Sequence, residues 1–514
     1  MAWLHTWTGL LMGWLLFAMF VTGTAAYFQE EITRWMKPEL VGATNPVAAT
    51  QGAMDHLQKV APDAESWFIT PPSARNPATS IFWQPKKKEG EKRERRSDTR
   101  ATLDGNGQVI HARDTPGGFF LYRFHFDLHY IPVLWARYLV GAAAMFMLIA
   151  ILSGIVTHKK IFADFFMLRF GKGQRSWLDA HNVAAVFALP FHLMITYTGL
   201  VTLAVMYMPW GIAANYARSD SFFEAVYPER AEVSPTGVAA PLVSIAPLME
   251  SASRQWHGAA VGNVRIVNPG DKGVIISISR SPASSIGSSA ETLMFEGATG
   301  RSINAGAGQS RALATQGVMI GLHAGRFAGW GLRWLYFLSG VSGAIMVGSG
   351  LVLWTVKRRG RLPDPARPPF GFRLVERLNI AVIAGLPAGI AIYFLANPLL
   401  PLEKVDRAEW EVHSLFIAWG AMLAWAMVRP ARRAWIEGLA AAATLFALVP
   451  LVDALMVSRN LFTGLAAGDW LFVGFDAVMV LLAASFACAA RIASRVTLPT
   501  SSRMRSARGT EATA

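Results

Sequence analysis

The chain has 514 residues, 53% of them hydrophobic and 16% charged, with a mean hydropathy of +0.32. Soluble proteins carry closer to a quarter of their residues as charges, so composition excludes an ordinary soluble globular protein and indicates a membrane protein. The 48 Lys and Arg against 34 Asp and Glu, a net charge of +14, fit positive cytoplasmic loops better than nucleic-acid binding, and no nucleic-acid partner is expected. A single cysteine, Cys488, excludes intramolecular disulfides, thiolate-held iron–sulfur clusters and C-x-x-C-H haem attachment. Any cofactor must therefore rest on His, Met or carboxylates.

Eight apolar stretches are long enough to cross a hydrocarbon core of roughly 30 Å. They lie at about 7–28, 134–157, 182–205, 334–356, 377–397, 410–428, 435–457 and 470–490. The first is read as a retained anchor, because Met1 to His5 holds no Lys or Arg and Trp7 to Phe28 exceeds a signal-peptide core. Lys159, Lys160, Arg169, Lys172 and Arg175 crowd one connection, and Lys357, Arg358, Arg359, Arg361 and Arg367 crowd another. Both connections are expected in the cytoplasm, with Arg429, Arg432, Arg433 and the tail at 491–514, which puts both termini inside.

The segments 29–133 and 206–333 then lie outside, separated by two spans at 134–205 and closed by the span at 334–356. A linker at 357–376 leads to a four-helix membrane region at 377–490. Trp67 to Ile69, Ser80 to Trp83 and Val274 to Ile278 alternate as strands do, while Ala48 to Val60 and Val243 to Trp256 have helical spacing. Each outer segment is expected to be a small α+β domain, with Lys86 to Arg100 a solvated loop in the first.

The strongest signal is an internal repeat. His5 precedes Thr22-Gly23 as His181 precedes Thr198-Gly199, with 18 residues from His to Gly in both. Asp104 to Gln108 answers Glu296 to Arg301, and Leu128-His129 answers Leu322-His323. Ser153-Gly154-Ile155-Val156 answers Ser349-Gly350-Leu351-Val352, its glycine 25 residues beyond His129 and its counterpart 27 beyond His323. The repeated unit is helix, outer domain, helix. The fold class expected is an all-α polytopic membrane protein of about eight transmembrane helices, with two α+β domains inserted in that duplicated unit.

Parallel repeats pack about a pseudo-twofold axis along the membrane normal, which brings equivalent residues face to face. That symmetry pairs His5 with His181 near the cytoplasmic face and His129 with His323 near the outer face. Two facing imidazoles from different helices are what six-coordinate haem b requires of a protein, because the porphyrin supplies the other four ligands. His125, four residues before His129, is an alternative outer ligand. His192 follows His181 by 11 residues on the same helix face, near the midplane. His158 closes the second span, and its repeat equivalent is Trp354. A packing role explains His192 as well, and reach to water explains His5, His158 and His413 near helix ends. His56, His111 and His257 read as surface residues.

Trp3 to Leu10, Ser176 to Asn182, Leu189 to Thr196 and Gly321 to Phe327 resemble the PepSY-associated transmembrane helix family, which includes inner-membrane ferric-siderophore reductases and iron-regulated membrane proteins. The resemblance covers residues 1 to about 360, and the outer domains look like the family's PepSY modules. Glu376 to Asn379 and Trp410 to His413 look like the extra helices of longer members. The resemblance implies a haem b protein that passes electrons across the inner membrane to ferric iron, often siderophore-bound, in the periplasm, and the two histidine pairs make two haem b groups the expectation. The family's motif histidines fall on His5, His129, His181, His192 and His323. Unlike relatives with a fused flavoprotein reductase, this chain has cytoplasmic connections too short for a Rossmann unit and no Gly-x-Gly-x-x-Gly after a strand. Its electrons are expected from quinol in the bilayer or from a separate reductase.

Lys86, Lys87, Lys88, Lys92, Arg93, Arg95 and Arg96 are candidates to attract an anionic ferric chelate, and equally read as a solvated loop tip. Two other classes of function stand beside the reductase. One is a transporter with ion- or proton-binding histidines, against which no helix pair reads as interrupted at the midplane. The other is a binding or regulatory membrane protein whose outer modules engage a periplasmic protein.

Overall fold

The computed structural model describes residues 2–40, 42, 45–86, 99–157, 165, 168–226, 233–287, 291–303 and 310–495. The protein is mostly helical, at 65%, with a small antiparallel sheet, and it divides into two units, Met1–Gly350 and Leu351–Ala514. Seven described helices are long and apolar enough to cross a membrane, and a bent pair makes up to eight. This is a multi-pass membrane protein.

In the first unit α1 (Ala2–Ala26), α5 (Val133–Thr157), the pair α6 (Gln174–Phe187) and α7 (Leu189–Thr202), and α10 (Trp330–Arg359) form the bundle. The shorter α2 (Gln29–Met36), α3 (Pro46–Val60), α4 (Gly117–Asp127), α8 (Ile245–Gln255) and α9 (Arg311–Ala324) belong to the intervening segments. α4 packs on α1, and α9 packs on α7, as the repeat requires.

One expectation needs correction. The stretch read as a single uninterrupted span at 182–205 is bent by 68° between α6 and α7. Pro190 has no N–H to give the preceding turn, and the Ala188 N–H goes to the Val186 carbonyl in place of a regular helical partner. The Ala184 carbonyl left over accepts instead from the Ser342 hydroxyl of α10 at 2.8 Å. α1, the repeat mate, is continuous over 25 residues.

The two segments outside the bundle supply β1 (Ser66–Thr70), β2 (Thr79–Gln84) and β3 (Arg100–Leu103), then β4 (Val261–Val267), β5 (Ile275–Arg280), β6 (Thr292–Glu296) and β7 (Ser302–Ile303). All seven join one antiparallel sheet in the order β3-β2-β1-β4-β5-β6-β7. β1 and β4 pair directly, Trp67 opposite Ile266 and Phe68 opposite Arg265, so neither segment ends in a free central edge. Alternation sends Trp67, Ile69, Ile81, Val264, Ile266, Ile276 and Ile278 to one face, where they share a core with Leu57 of α3 and Leu248 of α8. α3 starts where the Asn45 side chain caps the Val47 and Ala48 amides and Pro46 takes the first helical position. Residues 87–98, most of the basic loop, lie outside the described residues.

The second unit holds α11 (Phe370–Leu399), α12 (Arg407–Val428), α13 (Ala431–Met456), the short α14 (Leu461–Ala467) and α15 (Trp470–Arg495). α11 widens into a π turn at Ala381–Gly385, and Trp419 Nε1 of α12 donates to the Ala381 carbonyl at 2.8 Å. Glu411 is fully buried and accepts from Arg407 Nη1 at 2.6 Å and Asn397 Nδ2 at 2.9 Å.

Candidate functional site

Two pairs of histidines face each other at two levels of the first unit. At the level far from the sheet, the rings of His5 on α1 and His181 on α6 have centroids 6.2 Å apart. At the sheet-side level, the rings of His125 on α4 and His323 on α9 are 6.1 Å apart. The helix α1 relates the levels: His5 stands in its first turn and Met19, which touches His125, 14 residues later, about 21 Å along the axis.

All four rings are held in the same way. His5 Nδ1 meets the Ala150 carbonyl at 3.0 Å and His181 Nδ1 the Met346 carbonyl at 2.8 Å. His125 Nδ1 meets the Met19 carbonyl at 2.7 Å and His323 Nδ1 the Ile195 carbonyl at 3.0 Å. A carbonyl only accepts, so each neutral ring carries its proton on Nδ1, and the lone pair is left on Nε2. The acceptors obey the repeat: Ala150 and Met346 each precede their serine, Ser153 or Ser349, by three residues, and Met19 and Ile195 each precede their glycine, Gly23 or Gly199, by four. Ser153 and Ser349 donate to the same carbonyls as His5 and His181, at 3.1 and 3.0 Å.

Each ring also lies against a glycine of a neighbouring helix. A Cβ on Gly23 would stand 2.7 Å from His125 Nδ1, and one on Gly199 would stand 2.8 Å from His323 Cε1. On Gly350 it would stand 3.2 Å from His181, and on Gly154 3.6 Å from His5. The repeated Thr-Gly and Ser-Gly pairs therefore make room for imidazoles.

His129 does not face His323. α4 stops at Asp127, whose buried carboxylate joins Arg123 and meets Arg137 Nε at 2.9 Å. Leu128 and His129 then turn left-handed, with φ of 51° and 49°, and carry His129 to the surface against Tyr130. His125, one turn earlier, takes the place facing His323. His192 is buried with its Nε2, not Nδ1, against a carbonyl, that of Ser339 at 3.2 Å, and it packs on Phe20 and Phe191. His158 lies outside the described residues. His413 packs on Trp410 within α12, and His257 sits in a left-handed turn after α8.

The donor set could hold a group that takes one imidazole from each of two helices. Among the described residues no group of three or more His, Cys, Asp or Glu is arranged to hold a metal. Each pair brings two imidazoles from different helices together, the number of protein ligands that a metal macrocycle takes.

The sequence profile of the PepSY-associated TM region matches residues 2–357. The chain belongs to this family. The profile ends a few residues beyond Gly350, so it takes in both histidine levels and the whole sheet and leaves the second unit almost entirely outside. An uncharacterized protein of Pseudomonas aeruginosa is 26% identical over 341 residues, which cover 62% of this chain and 82% of the relative. Within this PepSY-associated chain the histidine repeat was legible in sequence, but the carbonyl acceptors were not, since a backbone oxygen leaves no side-chain signature.

Proposed function

We propose that this PepSY-associated protein is a haem b oxidoreductase of the bacterial inner membrane that passes electrons to ferric iron, held by a siderophore or similar chelate, in the periplasm. The observation that carries the reading is the fourfold arrangement of imidazoles with Nδ1 engaged on a backbone carbonyl, in two pairs with ring centroids 6.2 and 6.1 Å apart. In this reading His5 and His181 would hold one haem, and His125 and His323 the other. Bound haem would supply a one-electron Fe(III)/Fe(II) couple at each level.

The chain's own part is to orient and insulate. The carbonyls of Ala150, Met346, Met19 and Ile195 fix ring tautomer and plane and raise the basicity of Nε2. Gly23, Gly199 and Gly350 let helices and rings approach closely. With the Lys- and Arg-rich connections cytoplasmic, the sheet domain, built from two PepSY-like segments, lies in the periplasm above His125 and His323. The donor is quinol or a separate reductase.

A dithionite-reduced minus air-oxidised absorbance spectrum of the purified protein, with haem quantified as pyridine haemochrome, tests this directly. A sharp reduced α band with about two haems per chain is expected. A flat spectrum from folded protein expressed with ample haem would sink the reading.

The bent pair α6–α7 favours a transporter as second reading, because discontinuous helices often build substrate sites. Against it, the Ala184 carbonyl at the bend is already bonded by Ser342, and α1 has no matching break.

A further inference from the structure

One carboxylate joins three elements of the first unit. Glu31 of α2 accepts from Arg75 of the β1–β2 loop, at 2.8 Å from Nε and 2.6 Å from Nη2. It accepts as well from Arg333 Nη1 in the first turns of α10, at 2.8 Å. Arg75 is secured further by the Tyr27 carbonyl at 3.0 Å and by Glu30 at 3.1 Å. Arg333 is 8% exposed and spends its other nitrogen on the Ala328 carbonyl at 3.1 Å. One turn along α10, the Tyr336 hydroxyl donates to the Leu322 carbonyl at 3.1 Å, and its ring packs on Tyr27.

Leu322 and Ala328 bracket His323 and the turn that follows it. The segment carrying His323 is thus gripped on both sides by α10, and the start of α10 is fixed to the sheet loop through Glu31. The other half of the repeat is wired differently. Arg137 stands where Arg333 stands, 12 residues after His125 as against ten after His323, and it pairs with Asp127 of the adjacent helix end. Arg75 and the sheet loop take no part in that contact. Shared charged hydrogen bonds between partly buried groups transmit displacement because none can move without leaving another unsatisfied.

We propose that Glu31 is a positioning residue that couples the sheet domain to His323, so that loss of the Arg75 contact alters the sheet-side histidine pair and leaves His5 and His181 unaffected. The redox consequence rests on the haem reading above; the mechanical coupling does not.

Backbone hydrogen exchange on the full-length protein, with Arg75→Gln and Glu31→Gln, tests the coupling with or without haem. Arg75→Gln removes no contact to α9 or α10, yet exchange at Gly325 and Ala328 should rise about tenfold, the loss of a charged hydrogen bond, with α6 near His181 unchanged. Arg75→Lys should recover part of the protection. Unchanged exchange at these amides in both folded variants would overturn the coupling. In haem-loaded protein the sheet-side haem should change its midpoint potential or its electron-paramagnetic signal while the other does not. Altered exchange with two unmoved haem signals would overturn the redox part, and a chain without haem would instead overturn the function proposed above.

Discussion

His125 and Met19 are 106 residues apart, and the Nδ1 of one donates to the carbonyl of the other at 2.7 Å. His323 and Ile195 repeat the bond at 3.0 Å across 128 residues. In each case the acceptor lies one helical turn before the glycine that the ring covers, so one short stretch of helix both bonds the imidazole and leaves space for it.

If these rings are ligands, replacing them removes haem level by level. His181→Ala and His323→Ala should each lose about one haem per chain, whereas His129→Ala should lose none, since His129 lies at the surface. Pyridine haemochrome on each variant decides it. Wild-type haem in both correctly folded His181 and His323 variants would remove the pairs from consideration as haem sites.

The glycines give a graded series. Alanine at Gly23 or Gly199 puts a methyl within 2.8 Å of an imidazole and should cost about 1–3 kcal/mol of stability, with loss of sheet-side haem. At Gly154 the contact is an ordinary 3.6 Å, and at Gly9 nothing lies within 4 Å, so both alanines should be tolerated. Thermal stability and haem content measured across the four variants should rank in that order.

In the second unit, Arg407 and Glu411 are 1% and 0% exposed. Arg407→Met alone leaves a buried carboxylate without its cation and should destabilise by about 3–5 kcal/mol, while Arg407→Met with Glu411→Gln should recover a large part of that loss. A double-mutant cycle of melting in detergent measures the coupling, and additive losses would show that the pair does not act as a unit.

Asp271 anchors the turn beside β5. The Thr236 amide, with those of Gly273 and Gly237 and the Thr236 hydroxyl, holds its carboxyl down at about 2. A carboxyl lowered on folding stabilises the native state above its unfolded pKa, so this contribution should be intact above about pH 4 and fade as pH falls toward 2. Hydrogen exchange at Gly237 and Gly273 in wild type and Asp271→Asn should differ at pH 6 and converge near pH 2. A difference that persists at low pH would assign the effect to something other than the charge.

The sequence by itself determined which segments are apolar and long enough to span a bilayer, that the first 350 residues hold a repeat, and that His5 and His181 occupy equivalent places, because apolar length and repeated spacing are properties of the linear chain. Periodicity also located α3, α8 and the core strands, since Trp67, Ile69 and Ile81 are buried where Phe68, Thr70 and Phe82 are less so. Tertiary structure alone decided that β1 and β4 join both segments in one sheet, because strand partners are selected by packing and not by local pattern. It also decided between His125 and His129. Both are four residues apart and look alike in sequence, but Asp127 ends α4 between them, pinned by Arg137 of the next helix. The bend at Ala188 is not read from the sequence, where 182–205 passes as one span, and only the tertiary structure shows the Ser342 hydroxyl bonding the Ala184 carbonyl that the break leaves over.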